Sequence, residues 1–128
     1  MNLDLAPNKV TEQRALINTI RDEMERLPIE VTFSLGTFDV DCDEKADLRM
    51  SNALMSWSAL PGSTIDWVLA DNTSLNMTET VFQEFYDEVV TARAVRSLHL
   101  HAFTLTLKAS LPVSDDDDMF DGSTWQIL

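Results

Sequence analysis

Three aspartates at alternate positions, Asp39, Asp41 and Asp43, come nearest to a chemical site, because they match the first three ligand positions of a calcium loop. That chemistry also needs a glycine where the loop turns and a glutamate that closes it. Glu44 and Met50 stand at those two positions, so the aspartates read as a carboxylate-rich strand end leading into a helix cap. His99 and His101 are the two histidines. On a helix they point about 200° apart, and on a strand they share a face but lack a third ligand. Cys42 is the single cysteine. It forms no disulfide within the chain, and the flanking carboxylates of Asp41 and Asp43 disfavour the thiolate a nucleophile needs.

Gly36, Gly62 and Gly122 are isolated from one another, which leaves no glycine-rich phosphate loop. Trp57, Trp67, Phe82, Phe85 and Tyr86 are the raw material of a base-stacking platform, but they sit at core periodicities without flanking Lys or Arg, so packing is their expected role. No acid, base or nucleophile is paired with an orienting partner. The expectation is a protein that is not an enzyme, with no catalytic, cofactor-binding or metal-ligating residues.

The elements that carry these residues follow from periodicity. Val10, Ile17, Ile20, Met24 and Leu27 recur at helical steps between Pro7-Asn8 and Pro28. From Ile29 the period changes to two, through Val31, Phe33 and Leu35. Gly36-Thr37 reads as a turn, and Phe38 and Val40 as a short partner strand. Asp41 and Glu44 have capping-box spacing ahead of a second helix carrying Leu48 to Trp57, which Pro61-Gly62 ends. Ile65, Trp67 and Leu69, then Leu75 and Met77, form a second hairpin about Asp71-Asn72. Thr80 and Gln83, again at capping-box spacing, open a third helix whose stripe runs from Phe82 to Ala109; alternation between Leu98 and Leu107 leaves a break near Ser97 as the competing reading.

The expected fold class is therefore α+β, in the order helix, hairpin, helix, hairpin, long helix, with one domain over residues 1–112. Residues 113–128 are expected to be a flexible acidic tail, because Asp115 to Asp118 and Asp121 place like charges at high density. The tail ends in an apolar tip, Trp125, Ile127 and Leu128, expected to dock on the chain's own body or on a partner.

A chain of 128 residues, 45% hydrophobic and 24% charged, suffices for one core. Its formal charge of −13 would repel phosphate backbones and anionic lipid alike. Neither a basic, apolar leader nor an apolar run of about 20 residues occurs, so no export signal and no membrane span are expected.

Phe38-Asp39-Val40-Asp41 before the second helix, Trp67-Val68-Leu69-Ala70-Asp71-Asn72, Leu75-Asn76-Met77-Thr78 at the start of the third, and Lys108-Ala109 near its end give the chain a further likeness. Over about residues 29–112 it resembles a family known from bacteriophage tail-fibre and tail-assembly proteins and catalogued as a domain of unknown function. The resemblance implies a virion or tail-assembly component without enzymatic activity, found in the phage tail and, during assembly, in the host cytoplasm. It implies Trp67 as a core anchor and Asp71-Asn72 as a turn.

The function expected is a structural or adaptor protein binding other phage tail proteins, as an oligomer or hetero-complex, with no nucleic acid, membrane or small-molecule substrate. A helix longer than its domain exposes apolar turns, so Leu98 and Leu105 join Trp125, Ile127 and Leu128 as expected partner-binding residues. A transient fibre-assembly chaperone, or an acidic inhibitor mimicking nucleic acid, are the alternatives.

Overall fold

Proline and glycine placement delimits the elements of the computed structural model, which describes residues 5–59 and 62–125. Among them, helix α1 (Leu5–Glu25) leads to strands β1 (Ile29–Phe33) and β2 (Gly36–Val40), helix α2 (Glu44–Met55), strands β3 (Thr64–Val68) and β4 (Ser74–Thr78), and helix α3 (Glu79–Ala109). Each strand pair is a separate antiparallel hairpin. This is the α+β order that the periodicities predict.

Local details differ from the expected ones for identifiable reasons. The first hairpin turns at Ser34-Leu35, and Gly36 pairs with Phe33 as the first residue of β2, where its φ of +131° requires glycine. Leu35 therefore lies at an exposed loop tip instead of continuing the strand. Asp43, rather than Asp41, caps α2: its Oδ1 accepts the Ala46 amide at 2.8 Å. That helix stops at Met55 and gives way to a 3-10 turn at Trp57–Ala59, well before Pro61. At the start of α3 the Val81 amide donates to Thr78 Oγ1 at 3.4 Å, so Thr80 and Gln83 lie inside the helix instead of capping it. The second hairpin matches its expectation. Asn72 takes the left-handed conformation at φ 67°, and Asp71 Oδ1 accepts both the amide and the hydroxyl of Thr73.

Residues 26–95 form one compact unit. Its core gathers Val31, Phe33 and Val40 from the first hairpin, Ala46 and Met50 from α2, and Leu69 and Met77 from the second hairpin. Phe82, Phe85 and Val89 of α3 complete it. Aromatic rings join these elements: Phe82 lies 5.3 Å from Trp67, 5.6 Å from Trp57 and 5.7 Å from Phe85, in the tilted geometry that ring quadrupoles favour. Trp67, for which the resemblance implies a core anchor, is half-buried and packs against this core from its edge. Glu84 fixes the first hairpin by accepting the Ser34 amide and hydroxyl at 2.7 and 2.8 Å, and Arg93 reaches Asp47 of α2 at 2.6 Å.

Residues 5–25 and 96–125 make up a second compact unit. Here the expectation of a domain ending at residue 112 and a flexible tail is corrected. Within this unit Ile17, Leu100 and Trp125 are buried, with Ile20, Met24, Phe103, Leu107, Leu111, Met119 and Phe120 packed around them. The acidic run supplies much of the geometry that seats Trp125. Asp117 and Asp121 each accept the amide of the second residue of a 3-10 turn, Met119 in Asp118–Phe120 and Ser123 in Gly122–Thr124. Carboxylates so employed organise the backbone instead of merely repelling one another. Gln13, buried on α1, clasps Val113 in both directions, donating to its carbonyl at 2.8 Å and accepting its amide at 3.1 Å. α3 runs unbroken through Ser97, so the competing strand reading of residues 98–107 fails. A strand would have left Leu100 and Thr104 on the same side as Leu98, whereas helical geometry buries the first two and exposes the third.

Candidate interaction face

The sequence-derived candidates separate into two groups. Trp125 is 8% exposed; its ring meets Phe103 edge-on at 5.2 Å and its indole Nε1 donates to the Met119 carbonyl at 2.8 Å. It is thus an internal packing residue: of the two docking places expected for it, the chain's own body and a partner, it takes the first, which corrects its place among the partner-binding residues. Ile127 and Leu128 lie outside the described residues. Leu98 and Leu105, by contrast, are 68% and 55% exposed on α3.

These two leucines are part of a continuous stripe. Leu98, Ala102, Leu105 and Ala109 are all exposed and follow one another at steps of four, three and four. At 100° per residue they fall within a sector about 60° wide. Leu100, Phe103, Thr104 and Leu107 occupy the opposite side and are buried or half-buried in the second unit's core. This part of α3 is therefore apolar on both faces, and only the inner one is covered within the unit. Its electrostatics also set it apart. No Asp or Glu occurs between Glu88 and Asp115, although the chain carries 22 acidic residues. The stripe is flanked by exposed His99 and His101 and by Lys108, whose amine donates to Asn18 Oδ1 at 2.6 Å. The acid-free stretch is readable in the sequence and would have singled out this face without a structure.

The aspartates that resemble a calcium loop do not converge. Asp39 pairs with Glu30 across the first hairpin and Asp43 is occupied by the Ala46 amide. Among the described residues no group of three His, Cys, Asp or Glu side chains comes together to hold a metal ion. Asp41, Asp43 and Asp66 do line an open cleft of about 330 Å³ with Lys45, Arg49 and Trp67. Three carboxylates and two bases line it in an open, solvated setting, and no ligand-directed arrangement of charge results. Cys42 is buried and its Sγ lies 3.0 Å from the Leu27 carbonyl oxygen, to which it donates. Both histidines are exposed. No helix among the described residues is long and apolar enough to cross a membrane.

Comparison with known proteins places the chain in a family. The profile of a domain of unknown function, DUF4376, matches residues 9–121, nearly the whole length. The chain belongs to the DUF4376 family. The DUF4376 match takes in most of α1 and the acidic run as far as Asp121. Both compact units, including the exposed stripe of α3, thus fall largely within the DUF4376 region. No curated protein and no solved structure matches the chain.

Proposed function

We propose that this chain is a non-enzymatic structural or adaptor component of a bacteriophage tail, in its fibre, baseplate or an associated complex, and that it works by protein–protein contacts. The observation that carries the reading is the outer face of α3, where Leu98 and Leu105 stand in solvent between exposed alanines. Leaving two large aliphatic side chains wet forgoes about 1.5–3 kcal/mol each, which a binding partner recovers. The setting comes from the likeness of the aspartate-rich strand end, the Trp67 to Asn72 segment and the start of α3 to tail-fibre and tail-assembly proteins. In that setting the chain resides in the virion after assembly in the host cytoplasm, bound to other tail proteins. Its charge of −13 suits neither DNA nor an anionic membrane as the ligand.

Mass spectrometry of purified particles tests the reading. The chain should be found at a fixed ratio to tail proteins, and native complexes released from the particles should contain it. Its absence from particles would refute residence in the tail.

A further inference from the structure

The α3 stripe also carries information about what covers it. We propose that the face formed by Leu98, Ala102, Leu105 and Ala109 pairs with the same face of a second copy of this chain, the two helices running antiparallel. This inference rests on the proposed function only in treating the stripe as an interaction surface; the identity of the partner is argued independently.

Two observations select a second copy. The first is the order of large and small residues. Reversing the series Leu98, Ala102, Leu105, Ala109 about a twofold axis between residues 103 and 104 sets Leu98 opposite Ala109 and Ala102 opposite Leu105. Every leucine then meets an alanine, the large-against-small arrangement that lets two helices interdigitate, and the contact is self-complementary as a twofold interface must be. A parallel alignment would put leucine on leucine and alanine on alanine, alternating crowding with gaps. The steps of four, three and four are also those of a helix-pairing seam, in which i±3 and i±4 rows interlock at a shallow angle.

The second observation is charge. Two bodies of −13 repel each other wherever acidic surfaces meet. The stretch between Glu88 and Asp115 has no acidic residue, so along this stripe two copies approach without opposed carboxylates. Lys108, the nearest cation in the series, is engaged with Asn18 of its own chain. A basic client would instead be matched by an acidic flank, which the stripe lacks.

The test uses the full-length chain by itself. Sedimentation equilibrium should give twice the chain mass at micromolar concentration, and Leu98→Glu or Leu105→Glu should lower the association constant at least 100-fold. Both variants should keep the wild-type circular dichroism, because these side chains do not enter the core. Orientation is read by disulfide trapping in a mixture of Ala102→Cys and Leu105→Cys chains, where the cross-linked 102–105 heterodimer should dominate. A wild-type chain that stays monomeric at several hundred micromolar, glutamate variants that dimerise as well as wild type, or trapping of 102–102 homodimers in place of the heterodimer would each overturn the proposal. A monomer would leave the tail-component reading standing, and a dimer that is missing from purified particles would refute that reading alone.

Discussion

Asp121 accepts the hydroxyl and the amide of Ser123 at 2.7 and 3.0 Å, and these bonds, the hydroxyl's foremost, hold its carboxyl below the usual carboxylate range. A folded pKa below the unfolded one means that the contribution is fully present above about pH 4 and is lost as pH falls through the folded value. Acidification should therefore loosen the Gly122–Thr124 turn and the seat of Trp125. Followed by the indole Nε1–H resonance of Trp125, the wild-type chain should show a transition below about pH 4 that Asp121→Asn weakens, since an amide caps without titrating. An unchanged transition in the variant would assign it to other groups. Gln13 is the second residue whose role is local and strong. Gln13→Ala leaves the Val113 amide without its side-chain acceptor, at a cost of about 1–3 kcal/mol, measurable as a drop in thermal unfolding temperature. Neither role is hidden in principle. Asp121-Gly122-Ser123 is a turn signal of the kind in which aspartate accepts an amide two residues on; weighing the run only as like charge obscured it. Gln13 was illegible, because its partner lies 100 positions away.

Among the elements, α2 separates the two candidate caps most sharply. Asp43→Ala should destabilise residues 26–95 by about 1 kcal/mol, as loss of an N-cap does. Asp41→Ala should be nearly neutral, since Asp41 is exposed and stands two residues before the cap. Urea unfolding of both variants measures the difference, and equal losses would restore the cap to Asp41. The difference is one of register. Both Asp41 and Asp43 are good caps, and only the point at which β2 ends and the chain turns fixes which one meets a free amide. The same holds for Thr78 and Thr80 at the start of α3. The helix α3 is legible as far as Ser97; beyond it two apolar stripes, one through Leu100, Phe103 and Leu107 and one through Leu98, Ala102 and Leu105, together mimic the alternation of a strand. What periodicity leaves open is which stripe faces inward.

For the molecule as a whole, the corrected boundary changes the expected result of truncation. Removing residues 113–128 takes away Trp125, Met119 and Phe120 and exposes Ile17, Leu100 and Phe103. Loss of a buried Trp alone costs about 3–5 kcal/mol, so the truncated chain should bind a hydrophobic dye and lose protection from amide exchange in α1. Residues 26–95, with their own core, should keep theirs. Retention of full protection in α1 would show that the segment contributes little to the second unit. The sequence by itself determined the element order, the two hairpins and the packing role of Trp67 and Phe82. Each of those depends on spacing between near neighbours, which sterics and hydrogen bonding translate directly into helix or strand. Tertiary structure alone decided that Trp125 turns inward, that the acidic run is tied to α1, and that beyond Ser97 of α3 it is Leu100 and Phe103 rather than Leu98 and Leu105 that are covered. Those outcomes depend on which apolar surfaces find each other across long stretches of chain, and burial rewards any close fit without encoding its partner locally.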